Sequence, residues 1–169
     1  MAATVVTRTE LMVRMGELAT SATAGDVLVS IGLGSCIGVC LVDVRRAIVG
    51  LVHVMLPFAT SDSGPEAKFA DRGVERLVDR VRRLGASGLE SIIVGGAQMF
   101  AFGGSESSQN IGARNESAVR DELKRLNIPI RAVATGGRRG RTVRVHVEGP
   151  RVTVREIAGA ERQPYGSDA

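Results

Sequence analysis

The segment Ser30-Ile31-Gly32-Leu33-Gly34-Ser35-Cys36 sets two glycines and a serine ahead of a cysteine. Glycines permit a tight turn and let another chain approach the backbone closely. A cysteine at the edge of such a turn is reachable from solvent and can act as a nucleophile once its proton is removed. Taken alone, Cys36 also fits the role of a small buried hydrophobe. The second residue is His53, in the run Val49-Gly50-Leu51-Val52-His53-Val54-Met55-Leu56, where every neighbour is apolar. A histidine there is either a core residue satisfied by one hydrogen bond or the base that takes a proton from Cys36.

The two residues lie on successive runs rich in β-branched side chains, Cys36 to Asp43 and Arg46 to Leu56. Both runs are apolar on both faces, which predicts strands buried on both sides. They flank Asp43-Val44-Arg45-Arg46. A symmetric two-residue reversal there pairs Asp43 with Arg46 and, counting back along the hairpin, Cys36 with His53. Directly opposed residues have Cβ atoms about 4.5–5.5 Å apart, close enough for a thiolate–imidazolium pair with a depressed thiol pKa. A slip of one residue would put the two on opposite faces. Val44-Arg45 also lacks the Asn or Gly that two-residue hairpins favour.

The rest of the chain supplies the frame. Val27-Leu28-Val29 predicts a strand before the Cys36 turn, and Leu11-Met12-Val13 a short one in a loosely patterned N-terminal extension, residues 1–24. Ser63 with Glu66 three residues later resembles a helix start, and Ala70, Val74, Leu77, Val78, Val81 and Leu84 share a helical face ending at Gly85. Leu89 to Val94 predicts a buried strand, followed by a glycine-rich loop from Gly95 to Gly112 that lacks the lysine of a phosphate loop. Asn115 to Leu126 predicts a second helix and Ile130 to Ala134 a strand. Arg141 to Glu148 and Arg151 to Ile157 alternate, with Val143, Val145, Val147, Val152 and Val154 inward, a half-exposed hairpin turning at Gly149-Pro150. His146 falls on its solvated face. The tail, residues 159–169, is polar and expected to fray. Strands, helix, strand, helix, strands describe a single-domain α+β (mixed α/β) fold over residues 25–158.

Composition bounds the function. The 169 residues suit one domain, 44% hydrophobic and 24% charged as in globular proteins. With 3% aromatics and no tryptophan, the core must be aliphatic. The net charge of +4 is spread along the chain, and with so few aromatics to stack on bases, nucleic acid is excluded as a partner. No apolar run is long enough to span a bilayer, and no signal peptide is recognisable. Cys36 and Cys40 are the only cysteines. Too close along one strand to bridge easily, they point to a reducing, cytoplasmic compartment. Their spacing is poor for zinc, and no histidine cluster completes a metal site. Cys40, in mid-strand, reads as core.

The frame GLGSCIGVCLVD followed by GLVHVMLP resembles the CheD family of chemoreceptor glutamine deamidases. So do Lys68-Phe69-Ala70-Asp71, Gly95-Gly96-Ala97-Gln98-Met99-Phe100, Ile111-Gly112-Ala113-Arg114-Asn115, and Gly136-Gly137 leading to Gly140-Arg141. The likeness runs from about Gly25 to Val154. It implies mixed β-sheets flanked by helices, as in the catalytic domains of certain deamidating toxins. It also implies hydrolysis of glutamine side chains in methyl-accepting chemotaxis receptors, with Cys36 as nucleophile, His53 as base, and no metal or organic cofactor. A third polar residue six before the cysteine, usually Thr in the family, is Ser30 here. Serine keeps the hydroxyl that orients an imidazole and loses the methyl that restricts its rotamer. The resemblance further implies binding to a CheC-type phosphatase. An adaptor that binds receptor or phosphatase, with catalysis secondary, is the alternative.

Overall fold

The computed structural model describes residues 5–60, 64–99 and 110–166. Among these residues, ten strands form two five-stranded sheets, and two α-helices pack on one of them. The first sheet comprises β1 (Thr9–Met12), β3 (Asp26–Leu33), β8 (Arg141–His146), β9 (Arg151–Glu156) and β10 (Glu161–Tyr165), in that order across the sheet. The second runs β2 (Leu18–Ser21), β5 (Ile48–Val54), β4 (Ile37–Asp43), β6 (Glu90–Gly95) and β7 (Ile130–Thr135). The helices are α1 (Ala70–Arg83), preceded by a 3-10 turn at Glu66–Lys68, and α2 (Ile111–Arg125).

The predicted α+β class holds, and the two runs apolar on both faces are the central strands. Every residue of β4 and β5 is buried. One face of β4 and β5 gives Ile37, Val39, Leu41, Val52 and Val54 to a core shared with Val74, Leu77, Val78 and Val81 of α1 and Val119 and Leu123 of α2. The opposite face gives Cys40, Val42, Val49 and Leu51 to a core closed by Leu28, Val143, Val145, Val152 and Val154 of the first sheet. The molecule is therefore three layers: helices, second sheet, first sheet. Gly50 lets α1 approach β5, since a Cβ there would lie 2.8 Å from Val81 and 2.9 Å from Leu77.

Two terminal segments differ from expectation. The N-terminal extension, whose expected short strand at Leu11-Met12-Val13 overlaps β1, also supplies β2; β1 runs parallel to β3 and β2 antiparallel to β5, so each sheet takes a strand from it. The expected frayed tail forms β10 against β9, and Tyr165 donates its hydroxyl proton to Glu90 on β6 at 2.5 Å. α1 begins at Ala70, later than expected; Ser63 lies outside the described residues, as does most of the glycine-rich loop. α2 begins four residues earlier than its apolar pattern suggests.

The β4–β5 register also differs. Asp43 pairs with Ile48, and His53 with Gly38 rather than with Cys36. The reversal spans Val44 to Ala47, with Ala47 at φ 50°. Asp43 closes this wider turn by accepting from the Arg46 N–H at 3.2 Å. Without Asn or Gly at Val44-Arg45, the tight two-residue turn gives way to the looser one. The shift is two residues, so the side-chain alternation is preserved and Cys36 and His53 stay on one face.

Candidate active site

His53 sits on β5, facing the first sheet, and is 2% exposed. Its Nδ1 lies 3.4 Å from the Val13 carbonyl and 3.5 Å from Ser30 Oγ. Ser30, on β3, is itself fully buried and donates its hydroxyl proton to the same Val13 carbonyl at 2.6 Å. A carbonyl can only accept, and the Ser30 proton is already committed to it. Both oxygens therefore present lone pairs to Nδ1, which places the ring hydrogen on Nδ1 and leaves Nε2 unprotonated in the neutral imidazole. Nε2 is buried and has no hydrogen-bond partner among the described residues. Burial pulls the His53 pKa below the ordinary histidine value, against the opposing pull of the Val13 hydrogen bond and the Glu17 charge. At neutral pH the ring is uncharged and held in one orientation.

Cys36 lies just ahead of β4, partly buried, and packs against the core between the sheets. Because Gly38 opposes His53, Cys36 is its diagonal neighbour on the same face. Diagonal pairs stand about 7–8 Å apart at the backbone, within reach of long side chains. No Cys36–His53 hydrogen bond is present among the described residues. Burial pushes the Cys36 thiol up, while its own backbone N–H pulls the other way. The expected low-pKa thiolate is thus not the resting state; the surroundings favour a neutral thiol beside a neutral imidazole. Cys40 is fully buried, its thiol raised far by desolvation, as suits a core residue.

The backbone around Cys36 is held by close contacts. Gly96 N–H donates to the Cys36 carbonyl at 2.8 Å, and Ala97 N–H to the Gly34 carbonyl at 2.8 Å. Gly95, at φ 115°, packs so tightly against the Cys36 carbonyl that no Cβ fits. A cavity of about 300 Å³ opens beside His53, with Met12, Met15 and Ile31 among its walls.

Two buried polar residues near this centre carried no assigned role from sequence. Asn115 on α2 donates to the Ser35 and Met55 carbonyls. Arg141 on β8, 5% exposed, donates to the Gly95 and Gly136 carbonyls at 3.2 and 2.8 Å and pairs with Glu156 at 3.1 Å. Each left a signal: Asn115 stands four before Val119 on the apolar stripe of its helix, and Arg141 occupies an inward position of an alternating strand. His146 is on the outer face of the first sheet, away from His53, but is half-buried there rather than solvated as expected. No group of His, Cys, Asp or Glu suited to hold a metal occurs among the described residues.

Comparison with known proteins bears on this geometry. The family profile described as CheD chemotactic sensory transduction matches residues 55–156. A probable chemoreceptor glutamine deamidase CheD of Caldanaerobacter subterraneus is 42% identical over 151 residues, covering 87% of this chain and 93% of its own. The chemoreceptor glutamine deamidase CheD of Thermotoga maritima is 39% identical over 153 residues, 89% of this chain and 94% of its own. That of Desulfitobacterium hafniense, named as probable, is 42% identical over 155 residues, 90% and 96%. The profile begins after His53, but alignments of this coverage must include Cys36 and His53. This chain belongs to the CheD family.

Proposed function

We propose that this protein hydrolyses the side-chain amide of glutamine residues in methyl-accepting chemoreceptors, producing glutamate and ammonia. Family membership and the activity named for the relatives support the substrate. One observation carries the mechanism: His53 Nδ1 faces the Val13 carbonyl and Ser30 Oγ, while Nε2 is buried without a partner among the described residues, on the face His53 shares with Cys36. Nε2 takes the Cys36 thiol proton as sulfur attacks the amide carbon. Backbone N–H groups near Ser35 and Cys36 are the natural donors to the tetrahedral oxyanion. The imidazolium returns the proton to the leaving nitrogen, ammonia departs and a thioester remains. His53 then activates a water, which releases glutamate and regenerates the thiol. Ser30 and the Val13 carbonyl keep the ring in the working tautomer.

The substrate glutamines lie on the cytoplasmic helices of receptors, so the protein works in the cytoplasm; no helix among the described residues is long and apolar enough to cross a membrane. A CheC-type phosphatase is a second partner supported by the family resemblance. The test is mass spectrometry of a chemoreceptor fragment incubated with the protein. Each converted glutamine gains roughly one dalton as NH₂ becomes OH. Cys36→Ala abolishes the gain while the fold is retained, and Cys40→Ala keeps it with some loss of stability. An active Cys36→Ala protein would overturn the assignment.

A further inference from the structure

The ladder joining β4 to β5 has its last pair at Ile37 and Val54. Beyond it the two segments pair elsewhere, the Cys36 carbonyl accepting from Gly96 N–H and Met55 N–H donating to the Lys68 carbonyl. At this open end the Asn115 side chain takes over. Its Nδ2 donates to the Ser35 carbonyl at 3.0 Å and to the Met55 carbonyl at 2.9 Å. Ser35 adjoins Cys36, and Met55 is two residues past His53. Both partners are acceptors, so the amide orientation is fixed: nitrogen toward the strand ends, oxygen away. Asn115 is fully buried and its Oδ1 has no hydrogen-bond partner among the described residues. An orphaned buried acceptor is destabilising, and packing alone does not call for an amide on a stripe continued by Ala118, Val119 and Leu123.

We propose that Asn115 is a positioning residue for deamidation, its amide bridging the strand ends that carry Cys36 and His53 and so setting the sulfur against the imidazole. The proposal rests on the Cys36–His53 mechanism above. When the bridge is lost, the ends part, the imidazole no longer assists the thiol, and the rate follows whatever free thiolate the medium provides.

The test compares Asn115→Asp, a near-isosteric change that turns acceptors toward two carbonyls, with Asn115→Ala, which removes the donors without repulsion. Leu123→Ala, farther along α2, is the control for stability loss alone. Ammonia release from a glutamine-bearing chemoreceptor fragment is followed from pH 5.5 to 9, alongside thermal unfolding. Both Asn115 variants are expected to lose about 10-fold or more in kcat at pH 7 with KM changed little. Their rates should keep climbing to pH 9, where the wild-type protein and Leu123→Ala level off. If either folded Asn115 variant keeps the wild-type kcat, the proposal fails. It fails too if the loss matches that of Leu123→Ala and the pH profile is unchanged. Cys36→Ala, assayed in parallel, separates the two ideas: activity there overturns the mechanism itself, whereas an inactive Cys36→Ala beside a fully active Asn115→Ala overturns only the positioning role.

Discussion

The Val13 carbonyl accepts the Ser30 proton at 2.6 Å and stands 3.4 Å from His53 Nδ1, so one backbone oxygen organises both side chains. Ser30→Ala removes one of the two lone pairs facing the ring and frees the carbonyl from its tether. We expect kcat to fall by about 10-fold, as one orienting bond of roughly 1–1.5 kcal/mol implies, with Ser30→Thr equal to or better than wild type. Wild-type rate in Ser30→Ala would leave the Val13 carbonyl as sole orienting group. Because the His53 pKa is held below its ordinary value, kcat/KM should stay level from about pH 8 down to about pH 6.5, the ordinary histidine pKa, and drop only at lower pH as Nε2 takes a proton. The raised Cys36 thiol makes iodoacetamide labelling slow at pH 6 and steadily faster above pH 8.5, the ordinary thiol value. Equally fast labelling at pH 6 and pH 9 would mean that the pair is ionised at rest. Cys36 and His53 could be singled out in the sequence as candidates, because a thiol after two glycines and an imidazole among apolar neighbours are chemically conspicuous, but residue type alone left each open to a core role. The Val13 carbonyl could not be, because a main-chain acceptor leaves no mark on residue type.

Register is where side-chain patterns ran out among the elements. Alternation tells faces apart but says nothing about a shift of two, which leaves every residue on its original side. The β4–β5 turn was decided by Asp43, a buried carboxylate whose neighbours come from elsewhere in the chain. Its Oδ2 accepts from the Ser87 and Gly88 N–H groups at 2.9 and 3.1 Å, and its Oδ1 from Arg46. Burial alone would raise its pKa, but these hydrogen bonds and the Arg46 charge hold it below the usual carboxylate value. Asp43→Ala leaves three N–H donors to find water and should cost about 2–3 kcal/mol, read as a lowered urea midpoint with unchanged slope. Activity per folded molecule should persist, since the turn lies at the far end of the hairpin from Cys36. A drop in specific activity as large as the drop in stability would mean that the turn sets the catalytic register. The Ser87-Gly88 contact, like the parallel β6–β7 pairing across α2, joins segments far apart in sequence and has no local signature.

Across the whole molecule, both helices and most strands could be placed from local patterning, but β2, β10 and the allocation of strands to two sheets could not. The N-terminal segment looked loose because β1 and β2 are short and lie at sheet edges, where pairing is set by partners distant in the chain. Arg141 and the Tyr165–Glu90 bond tie the layers across the same interior. The fold also buries, wholly or in part, two histidines that charge more readily in the unfolded chain, and from that a stability profile follows. His146, among Arg151, Arg8 and Arg144 on the outer sheet face, is driven by burial first and by those charges next down to about 4. His53 is depressed by its own burial. Unfolded histidines titrate near 6.5, so below that pH the unfolded state takes up protons that the folded state refuses. Stability should therefore be full above about pH 6.5 and decline toward pH 4, before Asp43, whose folded pKa is lowered, begins its own contribution to the loss below about pH 3.9. Urea midpoints measured from pH 8 to 3 should show this two-stage descent. His146→Gln, which leaves Arg8, Arg144 and Arg151 in place but cannot titrate, should flatten the upper stage. A wild-type midpoint constant from pH 7 to 5 would show that neither histidine is linked to folding.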